Sequence, residues 1–108
     1  MTDWVVRPSF AAREDFDEIL DWTRTNFGDS QAEKYARLLE GTIASLAEGP
    51  ETADTKPRDD LSAGLRSLRV RNGRHVLLFR AEEERENSIV LLRILHDSMD
   101  FARHLQQR

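Results

Sequence analysis

From Phe10 onward the apolar positions return every three or four residues: Ala12, Phe16, Ile19, Leu20 and Phe27, with Thr23 in the same register. That spacing puts one stripe on one side of a helix and predicts helix from Phe10 to Asn26. Glu14, Asp15, Asp17, Glu18 and Asp21 are assigned to the wet side, several of them near the helix start, where negative charge is favourable. Ser9 can cap this helix and Gly28 can stop it. Ser30 and Glu33 have the spacing of a capping box for a second helix. Its stripe is Ala32, Tyr35, Ala36, Leu39, Ile43 and Leu46, and Gly49-Pro50 closes it. A connection this short makes the two helices antiparallel neighbours, a hairpin from about Ser9 to Glu48.

Elsewhere the period is that of strands. Residues 2–7 (TDWVVR) read as a short strand ended by Pro8. Residues 51–63 are polar, contain Pro57 and read as a loop with a short turn at Arg58–Leu61. Leu65–Val70 leads into Asn72-Gly73, a strong hairpin signal, and Arg74–Arg80 returns. Glu82–Asn87 is a charged turn. Ser88–Leu95 is apolar enough for a central strand. A short helix or tail is predicted around Met99–Gln107. The expected fold is a single α+β domain: an N-terminal strand, an antiparallel helical hairpin, then a three-stranded antiparallel sheet with a short C-terminal tail or helix. The hairpin must cover one face of the sheet, and the other can stay open. Because the first strand reaches the sheet through a helical crossover, a mixed sheet is allowed.

Composition narrows the chemistry. With no cysteine in 108 residues, disulfide scaffolds, thiol nucleophiles and cysteine-based zinc sites are excluded. The N-terminus lacks the pattern of a secretory signal and no run is long enough to span a bilayer, so a soluble cytoplasmic protein is expected. The net charge is -4, unevenly placed. Residues 1–57 hold 12 acids and 6 bases, whereas residues 58–108 hold 8 acids and 10 bases. Gly64 to Arg80 contains Arg66, Arg69, Arg71, Arg74 and Arg80 with no acid. An acidic chain is poorly suited to indiscriminate nucleic-acid binding. A local cationic strip still suits an acidic protein surface.

The order of these blocks resembles the ParE branch of the RelE/ParE toxin superfamily. The shared features are the acidic helix with DFDEILDW, the FG turn, the Ala- and Tyr-containing second helix, the EGP stop, GLRSLRV, GRHVLLFR and the closing LLRILHDSMDFARHL. The resemblance spans residues 3–105. It implies the toxin of a type II toxin–antitoxin system that inhibits DNA gyrase by binding and is held silent by a cognate antitoxin. It also implies a toxin homodimer or a toxin–antitoxin hetero-oligomer, without cofactor, metal, membrane or sequence-specific DNA contact by this chain. The alternatives are a ribosome-dependent mRNA endoribonuclease, as in the RelE branch, and a non-toxic module that only binds its antitoxin.

A nuclease would need an acid or base and cations on the phosphate. The candidates are His96 with Arg66 and Arg93; Arg69 is a further cation and His75 a second histidine. Against them, the chain is acidic, its single tyrosine lies in the second helix, and Arg93 and His96 have opposite parity along one strand. The preferred reading assigns Arg66, Arg69, Arg71, Arg74, Arg80, His96 and Arg103 to contact with target or antitoxin. Arg93, Asp97, Asp100 and Trp22 are assigned structural roles. Arg93 is expected to pair with Asp97 or Asp100 and so fix the tail to the sheet, and Trp22 to flank or join the core. An acidic antitoxin segment is expected along Arg66–Arg80, with an amphipathic helix against the hairpin.

Overall fold

A computed structural model describes residues 3–105 of the chain. Strand β1 (Val5–Pro8) leads into helix α1 (Phe10–Phe27) and helix α2 (Asp29–Ser45), which tightens into a 3-10 turn at Leu46–Glu48. Strands β2 (Thr55–Pro57), β3 (Arg66–Arg69), β4 (His75–Ala81) and β5 (Ser88–His96) follow, then helix α3 (Phe101–Leu105). The strand expected from residue 2 is found from Val5; Thr2 lies outside the described residues, as does the tail beyond Leu105.

Ser9 caps α1 as expected: its Oγ accepts from the Ala12 N–H at 3.0 Å. The same hydroxyl donates to the Leu92 carbonyl at 2.9 Å, so the cap also ties α1 to β5. Gly28, at φ 92°, is the only residue between the helices. The capping box expected at Ser30 and Glu33 does not form. Because Gly28 reverses the chain in a single step, α2 has already begun at Asp29, whose carboxylate sits in the first turn.

The sheet has five strands in the order β1-β5-β4-β3-β2. β1 runs parallel to β5 after the helical crossover, and the other pairs are antiparallel, so the sheet is mixed. β2 was not legible as a strand. It is three residues long and ends on Pro57, which an edge position tolerates. The hairpin at Asn72-Gly73 forms, but through a loop of residues 71–74 closed by Val70 N–H to the His75 carbonyl at 2.9 Å. Asn72 takes the positive φ of 64°. Gly73 is needed for space instead, since a Cβ there would stand 2.7 Å from the Tyr35 hydroxyl.

The main core lies between the helical hairpin and the sheet, around Leu39, Leu46, Leu77, Phe79, Ile89 and Leu91. The opposite face does not stay open. Leu65, Val76, Leu78 and Leu95 form a second buried cluster, covered by Leu61, Phe101 and Leu105. Alternation along β4 and β5 supplies both clusters, which is why the strands read as continuous apolar runs. An extra residue, Leu92, bulges from β5 where Leu78 faces Arg93 and Phe79 faces Leu91.

Candidate functional site

The end of the sheet nearest the β3–β4 loop gathers a polar cluster. His75, first in β4, is the cross-strand partner of His96, last in β5. Their rings stand perpendicular with centroids 5.3 Å apart. Tyr35 reaches them from α2, its hydroxyl 2.5 Å from His75 Nδ1. His96 Nδ1 accepts from the Ser98 N–H at 3.1 Å and lies 3.4 Å from Asp97 Oδ1. Asp97 is clamped by two guanidiniums: Arg69 Nη2 donates to it at 2.7 Å, and Arg74 donates through Nε at 2.9 Å and Nη2 at 3.0 Å. Its own N–H donates to the Arg74 carbonyl at 2.7 Å.

Burial pushes the His75 imidazolium pKa down to about 4, with further lowering by His96. Burial pushes the Tyr35 hydroxyl up. The hydrogen bonds from Arg74 and then Arg69 hold the Asp97 carboxyl well below the usual carboxylate range. Those from Arg7 and Ser88 lower Glu82 to about 2. Folded His75 therefore binds a proton less readily than the unfolded chain does, so acid favours unfolding. Stability is expected to fall as pH drops from about 6.5 to about 4, with a second loss below pH ~4 as Asp97 and Glu82 are protonated. Urea midpoints against pH check this. His75→Gln should flatten the upper limb alone, and an unchanged limb would assign it to other groups.

The acid-free arginine run does not act as one strip. Arg66 is half-buried, donating through Nε to the Pro50 carbonyl at 2.8 Å and through Nη2 to Thr55 Oγ1 at 3.1 Å. Arg80 donates to Ser62 Oγ at 2.9 Å. Both pin loops to the sheet. Arg69 and Arg74 hold Asp97, while Arg71 is 82% exposed and only 3.9 Å from Asp54.

Arg93 is not paired with Asp97 or Asp100. Its Nε and Nη2 donate to Asp15 at 2.8 and 2.9 Å, and Nη1 donates to the His104 carbonyl at 3.0 Å. Asp15, assigned to the wet side of α1, is buried. The cause lies in strand lengths. β1 stops at Pro8, opposite Leu91, so the Ile94 N–H has no strand partner and donates to Asp15 at 2.9 Å instead. Asp97 could not reach this pair because Arg69 and Arg74 hold it at the far end of β5. Arg93 does bind the tail, but through a backbone carbonyl. Asp100 accepts from the Arg103 N–H at 3.3 Å and so caps α3, and the Arg103 side chain is exposed.

Trp22 is not core. It is 62% exposed and meets Phe27 edge-on, with ring centroids 5.7 Å apart. Residues 24–31 are all exposed because the tip of the hairpin outruns the sheet. His96, Arg66 and Arg93, the nuclease set, are not brought together. β5 is regular between Arg93 and His96, with its bulge earlier at Leu92, so Ile94 joins the helix-side core and Leu95 the opposite one. Sequence reasoning missed the Tyr35–His75 contact. Gly73 beside His75, with a lone tyrosine in the facing helix, was the available signal. Among the described residues no group of three histidine or carboxylate side chains is placed to hold a metal ion. No described helix is long and apolar enough to cross a membrane.

The same architecture is found in the chromosomal ParDE toxin–antitoxin system from P. aeruginosa, with a TM-score of 0.75 at 20% identity over 86% of this chain and 95% of that one. It is found again in the RelBE2 toxin–antitoxin complex from Mycobacterium tuberculosis, with a TM-score of 0.62 at 26% identity over 89% and 93% of the two chains. The fold is that of the RelE/ParE toxins. The family described as ParE toxin of type II toxin-antitoxin system, parDE, matches residues 6–101. Toxin ParE1 of Caulobacter vibrioides is 36% identical over 99 residues, covering 92% of this chain and 95% of its own. Toxin ParE1 of Mycobacterium tuberculosis is 35% identical over 95 residues, covering 88% and 91%. The chain therefore belongs to the ParE family of type II toxins.

Proposed function

We propose that this toxin arrests growth by binding DNA gyrase, not by cutting RNA, and that a cognate antitoxin silences it in a hetero-oligomeric complex. ParE-family toxins are typically inhibitors that act by binding. The observation that carries the reading is the occupancy of the arginines. Arg93 is engaged by Asp15, Arg66 by a carbonyl and a hydroxyl, and Arg69 and Arg74 by Asp97. A phosphate cradle needs guanidiniums that are free and convergent, and these are paired on separate elements. Antitoxin binding fits the solved ParDE and RelBE2 relatives, which are toxin–antitoxin systems.

The test is purified toxin added to gyrase supercoiling and cleavage-complex assays, with DNA synthesis and translation followed separately after induction. Inhibited supercoiling or trapped cleavage complexes, with DNA synthesis failing first, is the expected result. Untouched gyrase together with cleaved transcripts on ribosomes would establish the nuclease instead. Expression without arrest, alongside tight antitoxin binding, would leave only a binding module.

A further inference from the structure

Trp22 and Phe27 do nothing for the fold. Neither joins a core cluster, and they are 62% and 63% exposed. Single apolar side chains scattered over a surface are ordinary. These two instead touch each other at the tip of the helical hairpin, where residues 24–31 are all exposed.

The pair is also held in place. The Gly28 N–H donates to the Arg24 carbonyl at 2.9 Å. Arg24 in turn bridges the two helices, with Nη1 3.0 Å from Asp21 and Nε 3.3 Å from Asp29. Asn26 Nδ2 donates to the Trp22 carbonyl at 2.8 Å. An exposed tryptophan on so braced a tip loses little freedom when it is covered, which is the property of an interface anchor.

Charge decides what covers it. Glu14, Glu18 and Trp22 are spaced four residues apart and follow one ridge of α1. Glu14, Asp17 and Glu18 are exposed and form no ion pair among the described residues. The complementary surface is an apolar pocket rimmed by lysine and arginine, whereas an acidic partner would be repelled.

We propose that the Trp22–Phe27 tip anchors this toxin in an apolar, basic-rimmed pocket of gyrase, with Glu14 and Glu18 facing the rim. The proposal rests on the gyrase reading above and gives it a contact surface. An enzyme that handles DNA carries basic surface by necessity, so gyrase has such rims to offer.

The probe is purified gyrase holoenzyme, immobilised and titrated with the toxin by interferometry. Trp22→Ser with Phe27→Ser should weaken binding at least tenfold and reduce growth arrest, with the thermal midpoint little changed because neither side chain is buried. Glu14→Lys with Glu18→Lys should also weaken binding at least tenfold, and its remaining affinity should fall less with added salt than the parent's. Phe10→Ser, equally exposed but at the other end of α1, should bind like the parent. A serine variant that binds gyrase like the parent would overturn the proposal and leave the gyrase reading intact. So would a serine variant whose only loss is antitoxin binding or self-association, which would give the tip to that partner. Weak binding by the serine variant with full binding by the lysine variant would overturn the basic rim. Should the serine variant melt well below the parent, the lysine variant, which alters only exposed charges, decides. A parent toxin that does not bind gyrase at all would remove the gyrase reading and this proposal with it.

Discussion

Asp15→Ala is expected to lower the free energy of unfolding by about 3–5 kcal/mol, the usual cost of removing one partner from a buried ion pair. The Asp15 and Arg93 side chains retain only 10% and 19% of their exposure, so solvent cannot replace what is lost. Three donors lose their acceptor at once: Arg93 Nε, Arg93 Nη2 and the Ile94 N–H. The Ile94 N–H is a main-chain group in the edge of β5 that β1 leaves unpaired, and an unsatisfied buried donor carries its own penalty. For a chain of this length the melting midpoint should fall by roughly 15–25 °C. Asp15→Asn keeps an acceptor and should fall between the alanine variant and the parent. Adding Arg93→Ala to Asp15→Ala should cost little more, because it removes the stranded charge, and the cycle should give a coupling of about 2 kcal/mol or more. Urea denaturation of the four proteins decides the matter. A loss below about 1 kcal/mol in Asp15→Ala would mean that the pair behaves as a surface salt bridge.

The Asp15–Arg93 pair also shows where sequence reading stops. Periodicity found both helices, their junction at Gly28 and the three long strands, because local spacing of apolar residues reports which side faces a core. Asp15 fell on the polar side of that spacing, and nothing local says that a neighbouring strand will end at Pro8, opposite Leu91, too early to satisfy Ile94. β2 was hidden for a related reason. A three-residue edge strand carries too little alternation to register, and its existence depends on the β3 residues it pairs with, Leu68, Ser67 and Arg66, which lie beyond an intervening loop. The arginine run misled in a third way. Charge counts along the chain are blind to partners, so Arg69 and Arg74 counted as free cations until Asp97 was seen between them. By contrast, the opposite parity of Arg93 and His96 could be read directly, since the period of a strand is fixed at two.

Ending the chain after Asp97 is expected to abolish growth arrest and to cost about 2–4 kcal/mol of stability, mainly through lost apolar burial. The second core cluster sets that cost. Phe101 and Leu105 cover Leu65, Val76, Leu78 and Leu95, and Arg58 sits 5.6 Å above the Phe101 ring. Removing α3 opens this face to water and takes the His104 carbonyl from Arg93. The larger core under the helical hairpin contains none of these residues, so the truncated chain should still unfold cooperatively. Two effects must then be separated, a weaker fold and a missing contact surface. Phe101→Ala with Leu105→Ala loosens α3 but keeps its polar residues, whereas Arg103→Glu changes an exposed charge and leaves the packing intact. If the tail touches the target, Arg103→Glu should reduce growth arrest at unchanged thermal stability and unchanged soluble level. If the tail only shields the sheet, the double alanine variant should match the truncation in both stability and toxicity, and Arg103→Glu should be silent. Full arrest by the truncated chain at equal soluble level would remove the tail from the target-binding surface altogether.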